Sequence, residues 1–141
     1  MRVLLIIPDH GTARLCEIIL SGLNCQFASV DDAASGMAEI EQQCPDLALL
    51  DDRVSDVPAA DVLTWMGERP AARRVPIVLM VGNRYDPLRE RVLPDALLVR
   101  PIMARDFAGV LRPYADSDIV AGIEHFSATG RLPYRPLFVR R

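Results

Sequence analysis

The chain has 141 residues, 50% of them hydrophobic and 25% charged, enough for one domain with a real core and too apolar for a disordered chain. Its longest apolar run, Val3–Ile7, falls far short of the roughly 20 residues that cross a bilayer, and Pro8-Asp9-His10 ends it too soon for a signal peptide, which points to a cytoplasmic protein. Net charge is −3, but residues 131–141 hold four arginines and no acid, so the acidic remainder does not suit a nucleic-acid surface.

Val3–Ile7 is a continuous apolar run of strand length, as a strand buried on both faces should be. Thr12 is placed to cap a helix in which Leu15, Ile19 and Leu23 recur every four residues. Cys25–Val30 mixes apolar and polar residues and reads as a strand nearer the sheet edge. Asp31 or Asp32 then caps a helix with Ala33, Met37 and Ile40 on one face, which Pro45 stops. Leu47–Leu50 is a third buried strand, ending at Asp51-Asp52. After a polar loop, Ala60–Glu68 reads as a helix with Val62, Leu63 and Met66 inward. Pro76–Val81 and Ala96–Val99 are the fourth and fifth strands, and Tyr85–Val92 between them has room for two helical turns. Phe107, Val110, Leu111 and Tyr114 then have helical spacing.

Five strand–helix units predict an α/β fold, a parallel sheet of order 2-1-3-4-5 in flavodoxin-like arrangement, over residues 1–114. Functional residues of such a sheet gather beyond the carboxyl ends of the strands: Ile7–His10, Asp51–Arg53, Val81–Asn83 and Arg100-Pro101. Residues 115–141 form an extension or linker. Within it Ile119, Ile123 and Phe126 outline one more helix stopped by Gly130, packed on the body or docking a partner, and Leu132–Pro136 looks extended. Cys16, Cys25 and Cys44 lack CxxC spacing and fall at apolar positions, which predicts reduced core cysteines and no metal site.

Pro45-Asp46-Leu47-Ala48-Leu49-Leu50-Asp51 resembles the phosphoacceptor strand of response-regulator receiver domains of bacterial two-component signalling, which reads PDL-hydrophobic-LLD. Leu98-Val99-Arg100-Pro101 resembles the family's last strand, which ends in Lys-Pro with a cis peptide. The resemblance covers residues 2 to about 114. It implies that Asp51 is the phosphoacceptor position, that two acids after the first strand hold Mg²⁺, that a hydroxyl ends the fourth strand, and that a lysine ends the fifth. This chain has Ile7 and Pro8 at the acid positions, with Asp9 one residue later, Val81 in place of the hydroxyl, and Arg100 in place of the lysine. The switch aromatic is Leu97 or Leu98, and Ser55-Asp56 replaces the usual Pro-Gly after the phosphoacceptor. The span from Val81 to Arg100 is short and contains Pro87 and Pro94.

Asp51 therefore reads as a degenerate phosphoacceptor that pairs with Arg100 as a structural ion pair, with Asp9 and Asp52 as a residual acidic pocket. Three functions compete. The first is a non-enzymatic pseudo-receiver acting through a protein partner or effector domain, without obligatory phosphorylation or cofactor. The second is a phosphorylatable receiver using Asp51, with Mg²⁺ at Asp9 and Asp51. The third is a flavodoxin-like small-molecule binder, resting on the weak signal of one glycine and one threonine in Pro8–Thr12. His10 and His125 read as exposed residues without a role, and Trp65 as packing at the core edge. A homodimer is expected through apolar surface at Phe107, Val110, Ile119, Ile123 and Phe126.

Overall fold

The computed structural model of the chain describes residues 1–70, 72–82 and 94–136. The helix expected over Tyr85–Val92, together with Asn83 and Pro87, lies outside them, as do Arg140 and Arg141. Five parallel strands, β1 (Arg2–Ile6), β2 (Gln26–Val30), β3 (Leu47–Asp51), β4 (Ile77–Val81) and β5 (Ala96–Val99), stand in the order β2-β1-β3-β4-β5. The helices are α1 (His10–Gly22), α2 (Ala33–Gln42), α3 (Ala59–Glu68), α4 (Ala104–Leu111) and α5 (Ser117–Thr129), with short 3₁₀ turns at Ala72–Arg74 and Arg112–Tyr114. This is the doubly wound sheet and order that the sequence predicts.

The central strands are apolar throughout because both of their faces are covered. Successive side chains leave a strand on opposite sides. Val3, Leu5 and Ile7 accordingly join the cluster under α1 and α4, while Leu4 and Ile6 join the one under α2 and α3. All five residues of β3 and of β4 are buried. The edge strand β2 is only partly covered, as its mixed composition implies. Among the described residues no helix is long and apolar enough to cross a membrane.

Several local expectations are corrected. Asp9, not Thr12, caps α1: its carboxylate accepts the Thr12 N–H at 2.9 Å, and Thr12 adds its hydroxyl at 2.5 Å. An aspartate side chain reaches the third amide of a helix, so the first turn starts three residues sooner than the threonine suggests. Asp32 caps α2, one of the two residues proposed for it. Cys16 and Cys25 are buried in the core, but Cys44 is exposed, because α2 ends at Gln42 and the chain turns outward before Pro45.

The C-terminal stripe also packs inward. Ile119, Ile123 and Phe126 are buried in the same cluster as Phe107, and Val110 packs at its margin. Phe107, Ile119, Ile123 and Phe126 therefore pack in the protomer's own core, and of the five residues expected at a dimer surface Val110 alone is partly exposed. Each buried side chain contributes on the order of 2 kcal/mol from removal of apolar area. The large hydrophobic side chains left exposed among the described residues are Val99, Met103 and Tyr134.

Two expected outcomes follow from the packing. A Cβ on Gly36 would lie 2.4 Å from Ile6 Cδ1 and 2.7 Å from Ile6 Cγ1, inside the core. Gly36→Ala gains about 1 kcal/mol of helix propensity but overpacks this contact, and we expect a net loss of about 1–2 kcal/mol in urea unfolding. Burial raises the thiol pKa of Cys16 to about 12 and of Cys25 to about 11. Under native conditions iodoacetamide should label Cys44 alone, and all three cysteines only after unfolding, as mass spectrometry of the labelled chain would read.

Candidate functional site

The site forms where β1, β3, β4 and β5 end on the same side of the sheet. β3 carries Asp51 to the centre of that edge, where its side chain is 0% exposed. A carboxylate this deep needs partners of opposite charge. It has two. Arg100, at the end of β5, brings Nη1 to 3.0 Å from Asp51 Oδ1 and 3.2 Å from the Met80 carbonyl. Arg53, two residues after Asp51, donates its backbone N–H to Oδ1 at 2.9 Å and places Nη2 3.2 Å from Oδ2.

Arg100 does more than neutralise Asp51. Its Nη2 lies 2.7 Å from Asp52 Oδ1, a close ion pair that lacks the alignment of a hydrogen bond. Its backbone N–H donates to the Val81 carbonyl at 2.8 Å. One side chain thus ties together the tips of β3, β4 and β5. The planar fork suits this geometry, since its two terminal nitrogens each face a different carboxylate. Arg100 is followed by a cis peptide to Pro101, as the resemblance implies.

The sequence singled out six positions here, and the structure unites most of them. Asp51, Asp52 and Arg100 form one ion network, Val81 joins it through its carbonyl, and Pro101 borders the adjoining cleft. Asp9 does not complete an acidic pair. Its Oδ2 caps α1, and the Thr12 hydroxyl and N–H hold its pKa below the usual carboxylate value, while the residue still lines the cleft beside Arg53. Val81 is buried and presents no donor.

Arg53, which the sequence placed at this edge without a role, is a partner of Asp51. Its hydrogen bonds with Asp51 push its pKa up, and the nearby charges of Asp9 and Asp52 act in the same direction. The signal was an arginine two residues beyond a buried strand-end aspartate, close enough for the loop to fold back. Asp56 was also overlooked as a structural element. Its two oxygens accept the Ala33 and Ala34 N–H groups at 3.0 and 2.9 Å, which pins the loop after β3 to the start of α2 and lowers the Asp56 pKa.

A shallow cleft of about 660 Å³ lies over this network, bordered by Asp9, Gly11, Thr12, Arg53, Gly82 and Arg100. Among the described residues no group of three His, Cys, Asp or Glu comes together to hold a metal ion. The magnesium shell that the resemblance implies does not fit these donors. Pro8 stands at one acid position, Asp9 is engaged by Thr12, and the Arg53 guanidinium lies against Asp51.

No family model matches the chain, and no curated protein matches it by sequence. Solved structures do. The receiver domain of sensor histidine kinase PA1611 from Pseudomonas aeruginosa, solved with magnesium in its active-site cleft, is 21% identical, with 80% of this chain and 95% of that one covered at a TM-score of 0.74. Chemotaxis response regulator CheY4 of Vibrio cholerae is 12% identical, with 81% and 98% covered and a TM-score of 0.75. A CheY-like receiver domain protein from Methanospirillum hungatei is 21% identical, with 86% and 98% covered and a TM-score of 0.71. The fold is that of response-regulator receiver domains.

Asp51 and Arg53 should contribute unequally to stability. Removing one partner of a buried ion pair costs about 3–5 kcal/mol. Asp51→Asn should fall near the lower end, since Arg100 keeps Asp52 and Arg53 can turn to water. Arg53 is 49% exposed, so Arg53→Ala should cost less than about 1 kcal/mol. Urea unfolding of the two variants beside the parent checks the order.

Proposed function

We propose that the chain is a signalling module of receiver fold that acts through contacts with a protein partner and works without phosphorylation or a bound metal. One observation carries this reading: both oxygens of Asp51 are held by arginines of the chain itself. A phosphodonor would have to displace Arg53 to reach the carboxylate. Phosphoryl transfer also needs charge neutralisation at the transferring group, and here the neutralising cations are already committed to Asp51 and Asp52.

The second support comes from what phosphorylation would have to do. A modification shifts a conformational equilibrium only if one state binds it better than the other. Val81 supplies no hydroxyl to draw a phosphoryl group inward, and Leu97 and Leu98 supply no aromatic ring to turn. Few contacts would therefore distinguish two states. His10 is 86% exposed and 3.8 Å from Asp31.

The reading is tested by incubating the protein with acetyl phosphate and Mg²⁺, and separately by titrating it with beryllium fluoride and Mg²⁺. We expect no acyl phosphate at Asp51 by mass spectrometry and no saturable shift of the Gly82, Arg53 and Arg100 amide resonances. Stoichiometric labelling at Asp51 would establish the phosphorylatable receiver instead.

A further inference from the structure

The end of the chain is seated more firmly than its composition suggests. α5 packs on α4 and meets the end of α1: Ile119, Ile123 and Phe126 share one buried cluster with Cys16, Leu20, Leu23, Phe107 and Leu111, and a Cβ on Gly122 would lie 3.4 Å from Leu23 Cδ2. Arg112 Nη2 lies 2.6 Å from Glu124 Oε1, so the end of α4 meets the middle of α5. Gly130 has a φ of 73° and reverses the chain after α5, a conformation suited to glycine.

Residues 131–136 then run back over α1 and α5 and make three contacts in a row. A Cβ on Gly22 would lie 2.4 Å from Leu132 Cδ1 and 2.8 Å from Leu132 Cβ. One on Gly122 would lie 3.1 Å from Pro133 Cγ. The Tyr134 N–H donates to the Gly22 carbonyl at 3.0 Å. That carbonyl belongs to the last turn of α1, where helical partners run out. Consecutive residues thus fill the space left by two glycines on two helices and satisfy an orphan acceptor. A flexible linker makes no such set of contacts.

We infer that Leu132-Pro133-Tyr134 is a latch. It holds α5 against the end of α1, at the end of the sheet remote from Asp51. The inference does not rest on how Asp51 is used. Its consequence is mechanical: α5 stays docked on α1 while the strap is closed. Pro133 and Tyr134 remain exposed, so the latch is also the part of this assembly that opens with least loss of burial.

Hydrogen exchange and limited trypsinolysis of the full chain test it together. In the parent the Tyr134 amide should exchange about 100-fold more slowly than an unstructured amide. Gly22→Ala places a Cβ against Leu132 while improving α1's own helix propensity, so its effect cannot come from a weakened helix. We expect it to abolish protection at Tyr134 and to speed cleavage after Arg131 about tenfold or more, with the amides of β1, β3 and β4 still protected. Leu132→Ser alters the strap alone, should give the same result, and decides the matter if Gly22→Ala does not fold. An unprotected Tyr134 amide in the parent, or a Leu132→Ser variant unchanged in both readouts, would overturn the latch.

Discussion

The carboxyl edge of the sheet is organised by one constraint, the burial of a charge at Asp51. β3 lies between β1 and β4 with both faces covered, so the residue at its tip is sealed on every side that the strand presents. A carboxylate in that position loses several kcal/mol of hydration unless cations and N–H donors replace the water. Arg100 crosses β4 to reach it, and the loop after β3 folds back so that Arg53 can supply both a guanidinium and a backbone N–H. The path of residues 52–56 and the joining of three strand tips follow from that demand. Asp56 completes the loop by holding its far end against α2.

A buried carboxylate can also be neutralised by a divalent cation. The two solutions differ in what can leave. A hydrated ion exchanges with solvent and makes room for an incoming anion. An arginine is tethered to the chain and keeps its proton at every physiological pH. On the proposed reading, this chain has exchanged a replaceable counter-ion for permanent ones, and with it the means of admitting a phosphoryl group. Pro8, Val81 and the capping role of Asp9 are consistent with that exchange. Each removes a group that would otherwise hold the metal or the phosphoryl oxygens.

Sheet order, strand placement and the pairing of Asp51 with Arg100 were legible because they rest on strong signals. Continuous apolar runs mark buried strands, and strand ends mark the site. Where the reading failed, the deciding contact was short-range but not periodic. Thr12 looks like a cap by type, yet Asp9 has the better reach and takes both of the threonine's donors. Arg53 sits in a polar loop where an arginine looks unremarkable, and only the fold-back reveals it. The stripe Ile119, Ile123 and Phe126 was seen as a helix face, but its direction was undecidable from periodicity alone. Hydrophobic spacing says that a face is covered and not by what. The answer lay in Gly22 and Gly122, whose missing Cβ atoms make sense only once Leu132 and Pro133 are placed.

The two unusual features of the molecule are joined by a single element. α1 begins beside the ion network, where Asp9 caps its first turn within the field of Arg53, and ends under the strap, where Gly22 receives Tyr134. Its 13 residues span about 20 Å as one rod. Cys16, Ile19, Leu20 and Leu23 anchor that rod along its length in a close-packed core. A rod so held does not bend locally, so a displacement imposed at one end must be carried as a shift of the whole helix against β1, α4 and α5. The interfaces with α4 and α5 are those that the strap secures. α1 therefore borders both regions, the Asp51 edge through the Asp9 cap and the strap through the Gly22 carbonyl, and its packing in the core fixes the distance between them.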